Sequence, residues 1–253
     1  MNQSFDTLRC VPGRFRPMGA LADNEGVHFA LFSRDATRVW LALFDSAGAT
    51  EPVREFELDS EQYRYGDVWS VYVHGLKAGA LYAYRADGPH DPVHGLDFDA
   101  SQFLLDPRAQ AMAGDVPSGS GKCVVVEPFP VDSHRKETVV RSAWRENVIY
   151  ELHVRGFTKH DSSGVVHKGA YRGLIEKIPY LKELGIRAVE LLPVHEKGEH
   201  EVGRRNPKTG EELVNYWGYS TIGYFAPAGW LATEPGNQVD EFREMIAAFH
   251  EAE

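Results

Sequence analysis

Residues 68 to 88 read VWSVYVHGLKAGALYAYRADG and decide the fold of the first half of the chain. Two runs rich in β-branched and aromatic residues, VWSVYVHGL (68 to 76) and LYAYRADG (81 to 88), enclose a KAG turn at 77 to 79. Such runs are typical of β-strands, and glycine supplies the backbone freedom that a turn requires. The stretch therefore predicts two strands separated by a turn.

The same pattern extends toward the N-terminus. Apolar and other residues alternate at 27 to 32, in RVWLALFD (38 to 45) and in VREFELD (53 to 59), with turn clusters DNEG (23 to 26) and DSAG (45 to 48) between them. Short alternating strands at this spacing predict an antiparallel β-sandwich whose core comes from the apolar face of each strand. Its aromatic residues are expected to be mostly core (Trp40, Trp69, Tyr72, Tyr82 and Tyr84), with a ligand-binding face as the alternative.

The character of the chain changes after a polar stretch with two prolines at 127 to 147. VIYELHV (148 to 154) and RAVELLPV (187 to 194) are apolar runs with little alternation, which favours parallel strands buried on both faces. Between them, GAYRGLIEKIPYLKELG (169 to 185) predicts one amphipathic helix with apolar residues at helical spacing, Gly185 capping its C-terminus. We predict a first domain at 1–135, a linker at 136–147 and a second domain at 148–253.

The last segment predicts a helix and follows a polar excursion at 195–238. Asn237 is a plausible N-cap, and the apolar face is formed by Val239, Phe242, Ile246 and Phe249. The excursion carries NYWGYSTIGYFAP (215 to 227), which has five aromatic residues in thirteen positions and fits neither a helix nor a strand period.

Composition excludes several classes of function. The net charge of −10 opposes binding to nucleic acid or to an anionic membrane. The N-terminal residues MNQSFDTLRC show no basic start followed by an apolar core, and no later run approaches the roughly 20 apolar residues that span a membrane, so neither secretion nor membrane insertion is expected. The two cysteines, Cys10 and Cys123, are expected to be reduced thiols in a cytoplasmic protein.

Taken together, these motifs resemble the isoamylase and glycogen-debranching branch of the α-amylase family, glycoside hydrolase family 13. The resemblance covers nearly the whole chain and is carried by LFSRDATRVWLALFD, YRYGDVWSVYVHGLKAGALYAYRADGPHDPVHG, LLDPRA, VIYELHVRGFT, GLIEKIPYLKELGIRAVELLPV and NYWGYSTIGYFAP. It implies an immunoglobulin-like, glycan-associated sandwich followed by the first part of a (β/α)8 TIM barrel. The implied reaction is hydrolysis of α-1,6 branches by a retaining mechanism. The implied partner is an α-glucan, glycogen or its limit dextrins.

The resemblance also implies substrate contacts in the aromatic segment. Tyr219 corresponds to the tyrosine that lies against the sugar at the cleavage point, and Trp217 and Asn215 would support the same wall. From the residues alone, Trp217 could equally be packed in the core and Asn215 could cap a turn. Tyr224 and Phe225 are expected to be core residues.

No catalytic residue is expected in this chain, because in the family all the catalytic carboxylates follow later barrel strands, beyond Glu253. The 107 residues from 147 to 253 are also too few for a barrel of about 250 residues. The chain is therefore expected to be a fragment. Glu151 and Glu190 are expected to form a buried ion pair or a polar contact at the strand ends.

No cofactor or metal is expected. The histidines and carboxylates at 195 to 201 (His195, Glu196, His200 and Glu201) predict a solvated loop, and His90, Asp91 and His94 predict a rigid turn. Two other functions stay open: a non-catalytic α-glucan-binding module, and a branching or trehalose-releasing relative. In either case we expect residues 1 to about 135 to fold alone more readily than the whole chain.

Overall fold

The computed structural model describes residues 5–116, 119–129, 144–198 and 203–252. They form two compact units, one of residues 5–129 with 223–225 and one of residues 144–222 with 226–252. The predicted domain boundary at residue 135 and most of the predicted linker, 136–143, lie outside the described residues.

The first unit is an antiparallel β-sandwich, as the alternating runs predict. Its elements are β1 (Arg9–Pro12), β2 (Gly19–Ala22), β3 (Gly26–Phe32), β4 (Arg38–Phe44), β5 (Arg54–Leu58), α1 (Ser60–Tyr63), β6 (Arg64–Tyr65), β7 (Val68–His74), β8 (Leu81–Asp87), β9 (His90–Asp91), β10 (Leu96–Asp97), β11 (Met112–Ala113) and β12 (Lys122–Val124). One sheet has the order β1-β7-β3-β2, with β6 paired to β7. The other has the order β11-β12-β8-β4-β5, and β9 pairs with β10.

The two strands of the 68–88 stretch lie in different sheets. β7 pairs with β1, β3 and β6, whereas β8 pairs with β4 and β12. The KAG turn, with Gly79 at a φ of +85°, therefore carries the chain from one sheet to the other. The edge of Tyr82 in β8 meets the ring of Phe29 in β3 at 5.0 Å between centroids, which joins the two sheets through the core.

The aromatic residues of the sandwich are mostly core, as predicted. Trp40, Trp69, Tyr82 and Tyr84 are buried. Tyr72 is partly exposed, and its hydroxyl donates to Asp23 Oδ1 at 2.6 Å. Alternation fails in β4, where every residue from Val39 to Phe44 is buried. The second face of β4 is covered by Phe103, which meets Phe44 edge to face at 5.1 Å.

The second unit begins with a parallel strand, helix, strand arrangement. Its elements are β13 (Ile149–Leu152), α2 (Val154–Thr158), α3 (Tyr171–Ile175), α4 (Ile178–Glu183), β14 (Ala188–Leu191), β15 (His195–Lys197), β16 (Thr221–Pro227) and α5 (Gln238–Ala252). The middle of β16, residues 223–225, is assigned to the first unit. β13 and β14 are parallel, with Ile149 opposite Ala188. β15 pairs with β16.

The single helix predicted between the parallel strands is wrong, because α3 and α4 are separate helices. Pro179 lies in the first turn of α4, where its missing N–H costs nothing; inside a continuous helix it would clash with the preceding turn. Because of the break, the two leucines differ in burial: Leu174 is fully buried, whereas Leu184 is 49% exposed. Gly185 caps the C-terminus as predicted, with a φ of +75° and its N–H donating to Lys182 O at 2.9 Å.

The helix predicted at the end of the chain is confirmed as α5. Two residues of its predicted apolar face, Phe242 and Phe249, pack against the core, but the rest of the buried face differs from the prediction. Gln238, Glu241 and Met245 are buried, whereas Ile246 is exposed. The Glu241 carboxylate accepts the Thr233 N–H at 2.9 Å, so that a charged group is stable inside. This hydrogen bond turns a polar position of α5 inward, which apolar spacing cannot reveal.

The described part of the second unit shows one parallel strand pair and no closed barrel. Its core contains Leu152, Val154, Tyr171, Leu174, Ala228, Leu231 and Met245. Among the described residues of the whole chain, no helix is both long and apolar enough to cross a membrane.

Candidate functional site

The aromatic loop, residues 215–219, is held by side chains from two other elements. Lys197 in β15 donates from Nζ to Asn215 O, and His153 Nε2 lies 2.8 Å from Tyr216 O. Inside the loop, the Gly218 N–H donates to Asn215 Oδ1 at 2.9 Å. Gly218 has a φ of +84°, a conformation that favours glycine. Two consecutive carbonyls are thus fixed from outside the loop and one amide from within it.

His153 has a defined tautomer because both ring nitrogens are used. It is the N-cap of α2, and its Nδ1 accepts the Gly156 N–H at 3.0 Å. An Nδ1 that accepts carries no hydrogen, so Nε2 carries it and donates to Tyr216 O. The imidazole is buried, and it stacks on the Tyr216 ring at 4.6 Å between centroids and 13° between planes.

Further aromatic rings surround this stack. Trp217 meets Tyr216 edge to face at 5.6 Å and lies 6.2 Å from the His153 ring. Trp230 lies 6.2 Å from His153, and the Lys197 ammonium is 4.8 Å from the Trp230 ring centroid. Lys197 is itself buried, so a carbonyl and an indole face replace water around its charge.

The loop presents aromatic rings to solvent even though its backbone is fixed. Trp217 is 56% exposed and Tyr219 is 68% exposed. The alternative in which Trp217 is packed in the core is therefore wrong. Asn215 uses its side-chain oxygen to close the turn to Gly218, as the turn-capping alternative described. The substrate roles of Tyr219, Trp217 and Asn215 stay predictions.

Three expectations for neighbouring residues are wrong. Tyr224 and Phe225 are exposed, because β16 turns its small residues, Gly223 and Ala226, into the interior. Glu196 is buried rather than solvated, because its Oε2 accepts the Gly229 N–H at 2.8 Å. His195 is half-buried, and His200 and Glu201 lie outside the described residues.

The carboxylates on the parallel strands do not form a buried ion pair. Glu151 and Glu190 are register partners in β13 and β14, and both are exposed. The reason is that this face of the strand pair is uncovered in the described unit. Two like charges side by side are stable only where water can reach them.

The histidines of the sandwich form a turn, as predicted. His94 Nδ1 lies 2.7 Å from Asp91 Oδ2, and Gly95 ends the turn with a φ of +78°. Across the described ranges, no group of three or more histidines, cysteines and carboxylates is placed to hold a metal ion.

Sequence reasoning missed His153, Lys197 and Trp230. His153 follows directly after a parallel strand, a position where α/β folds often place functional groups, and this signal was available in VIYELHV. Lys197 and Trp230 gave no such signal, because only the folded chain brings them to the aromatic loop.

One protein family matches most of the sandwich. Residues 17–109 match the family described as carbohydrate-binding module 48, the isoamylase N-terminal domain. The sandwich is therefore similar to the modules of that family. Its match ends within the first unit, upstream of the aromatic loop.

Relatives of the module and of the second unit extend over nearly the whole chain. Isoamylase 1 of rice, a chloroplastic protein, is 37% identical over 96% of this chain and 32% of its own length. The glycogen debranching enzyme of Dickeya chrysanthemi is also 37% identical, over 96% of this chain and 38% of its own length. The chain thus spans about a third of the length of these curated relatives.

Solved structures show the same fold. A pullulanase from Bacillus acidopullulyticus superposes with a TM-score of 0.71 at 23% identity, over 93% of this chain and 28% of its own. A pullulanase from Anoxybacillus, solved with maltotetraose, superposes with a TM-score of 0.69 at 26% identity, over 93% and 33%. Each superposition covers 93% of this chain and therefore includes residues of both units.

Proposed function

We propose that this chain corresponds to the N-terminal third of an isoamylase-type debranching enzyme of glycoside hydrolase family 13. In this proposal the enzyme hydrolyses α-1,6-glucosidic branches of glycogen or its limit dextrins by a retaining mechanism. The chain supplies the family 48 module and, in the second unit, the first part of a (β/α)8 barrel. Support comes from relatives named isoamylase and glycogen debranching enzyme, which align with both units.

The parallel pair β13 and β14 supports the barrel start. Helices α3 and α4 connect the two strands, which is the repeating unit of a barrel. The strand pair also has exposed apolar residues, with Ile149 at 56%, whereas parallel sheets are normally covered on both faces. The catalytic carboxylates belong to later strands in this proposal, so this chain alone has no hydrolytic activity.

The observation that carries the proposal is the exposed but fixed aromatic loop. A pyranose ring has an apolar C–H face, which packs on an aromatic ring. Tyr219 and Trp217 offer such surfaces, and their backbone is held before any ligand arrives, which lowers the entropy cost of binding. In the proposal Tyr219 contacts the sugar, and Trp217 and Asn215 form the wall beside it.

The test is binding of maltotetraose to the 253-residue chain, measured by calorimetry. We expect Tyr219→Ala and Trp217→Ala each to weaken binding roughly fivefold, about 1 kcal/mol. Tyr224→Ala is a matched control, because Tyr224 is also a tyrosine with 68% exposure but lies in β16. Equal affinities for the wild type and all three variants would contradict the proposed sugar contacts of Tyr219 and Trp217.

A second function, glucan binding without catalysis, is favoured by the module match alone. It predicts binding that survives both wall substitutions, because the ligand would then lie on the sandwich. Release of reducing ends from glycogen by this chain would contradict both functions and direct attention to the exposed pair Glu151 and Glu190.

We also propose a cytoplasmic location for this chain. Cys10 and Cys123 are free thiols, and burial raises the pKa of the Cys123 thiol, which keeps it protonated and unreactive. The rice and maize relatives are named chloroplastic, so cell fractionation of the source organism is the deciding measurement.

A further inference from the structure

We propose that His153 is a positioning residue that sets the conformation of the aromatic loop and thereby its affinity for α-glucan, with Lys197 as a second tie. The first part concerns only this chain's own geometry. The second part rests on the function proposed above.

His153 connects the first turn of α2 to the aromatic loop, so the fixed position of α2 restricts the conformation of the loop. Its Nδ1 is engaged by the first turn of α2 through the Gly156 N–H, so the ring cannot rotate without losing that hydrogen bond. Its Nε2 then points at Tyr216 O, and its face lies against the Tyr216 ring. One rigid side chain thus fixes both the backbone and the side chain of Tyr216.

Gly156 completes the seat for Tyr216. A Cβ atom at position 156 would lie 2.6 Å from Tyr216 Oη, closer than non-bonded atoms approach. Tyr216 therefore lies across two positions on one face of α2, His153 and Gly156, which are three residues apart. A side chain at 156 would therefore force the Tyr216 hydroxyl to shift away from α2.

Lys197 holds the preceding residue from the other side. Its ammonium donates to Asn215 O, and Asn215 Oδ1 accepts the Gly218 N–H. The loop that carries Trp217 and Tyr219 is therefore clamped at two successive carbonyls by a histidine and a lysine, both buried. Released from these ties, the exposed rings would sample many orientations, and binding would then have to order them.

His153→Asn separates the helix-capping role from the positioning role. Asparagine is a favoured N-cap and can still accept the Gly156 N–H, but it has no ring to stack and cannot reach Tyr216 O. The same substitution at His160 is the matched control. Its Nδ1 likewise accepts a nearby backbone N–H, that of Ser162 at 3.2 Å, and its side chain is exposed.

The first measurement is amide hydrogen exchange by NMR on the full 253-residue chain. In His153→Asn we expect the Gly218 amide to exchange at least about fivefold faster, while the Gly156 amide keeps its wild-type rate. We expect His160→Asn to change neither rate. If the Gly218 amide keeps its protection in His153→Asn, the positioning role is overturned.

The second measurement is maltotetraose affinity of the same proteins. We expect a loss of roughly fivefold for His153→Asn and none for His160→Asn. If the Gly218 amide loosens but the affinity stays unchanged, the loop order does not serve binding and that part is overturned. If the wild type binds no maltotetraose while the exchange result holds, positioning stands and the proposed function fails.

Two further variants keep the proposal falsifiable if His153→Asn does not fold. Gly156→Ala leaves His153 intact but displaces Tyr216, and Lys197→Met keeps the buried stem but removes the donor to Asn215 O. We expect each to speed the exchange of Gly218 in the same way. Wild-type exchange in both variants would overturn the proposal.

Discussion

Replacing Leu174 and Leu184 by alanine, one at a time, tests the break between α3 and α4. Apolar spacing places both leucines on one face of a single helix, whereas the structure buries Leu174 fully and leaves Leu184 49% exposed. The substitution is chemically the same at both positions. A difference in stability therefore reports the environment alone.

The expected magnitudes follow from burial. Leu174→Ala removes three buried carbons, a transfer cost of roughly 2.4 kcal/mol at about 0.8 kcal/mol each, and the cavity left among Leu152, Tyr171 and Met245 raises the total to about 3 to 4 kcal/mol. Leu184→Ala loses at most about half of the transfer cost, about 1 kcal/mol, and leaves no cavity because water reaches the site.

The assay is urea unfolding followed by far-ultraviolet circular dichroism, with the slope against urea compared between variants. Equal slopes confirm that the midpoints measure stability. We expect Leu174→Ala to shift the midpoint about three times as far as Leu184→Ala. Equal shifts would contradict this prediction, because they would mean that both leucines are buried on one continuous helix.

Three further predictions concern the sandwich. Burial lowers the pKa of His28 below its usual 6.5, so the free energy of unfolding decreases as pH falls from 6.5 toward the lowered pKa, by up to about 1.4 kcal/mol per pH unit. His28→Gln cannot titrate, so we expect it to reduce this dependence on pH in urea unfolding measured over a series of pH values. Burial raises the pKa of Asp106 above 3.8, so the free energy of unfolding decreases as pH rises from 3.8 to the raised pKa. The free energy of unfolding of Asp106→Asn, relative to that of the wild type, will therefore be higher at pH 7 than at pH 4. A difference between variant and wild type that does not depend on pH would contradict this. Gly26→Ala puts a Cβ 2.3 Å from Val73 O, and we expect a loss of at least about 2 kcal/mol by the same assay, with Gly48→Ala, which has open space around it, as the neutral control.

Local pattern was sufficient for the main strands of the sandwich and for the parallel pair. The alternating runs at 68 to 88 became β7 and β8, and the apolar runs in the second half became β13 and β14. Short strands such as β11 and β15 were missed, because they contain two or three residues and carry no measurable period. The seven-residue strand β16 was also missed, and the expectation that the aromatic segment contains no strand is wrong; the buried residues of β16, Gly223 and Ala226, do not alternate. The burial of carboxylates such as Glu241 and the exposure of strand residues depend on which distant residues pack against them, so both were predicted wrongly.

The candidate site divides in the same way. The aromatic residues at 215 to 219 stood out in the sequence, because their density fits no regular element. The hydrogen bonds that hold these residues in place could not be predicted from the sequence, because His153 is 63 positions away from Tyr216 along the chain and Lys197 is 18 positions from Asn215. A hydrogen bond across such separations leaves no periodic trace in a single sequence.

Side-chain pattern alone predicts the order of the main elements: alternating strands, then two parallel strands with one helix between them, then an aromatic segment and a last helix. Periodicity carries this information because side-chain direction repeats every 2 or 3.6 residues along a strand or helix. The folded structure was needed to show that β7 and β8 belong to different sheets, that the predicted helix is divided in two at Pro179, and that His153 and Lys197 fix the aromatic loop. These outcomes depend on contacts between distant residues, which exist only after the chain has packed.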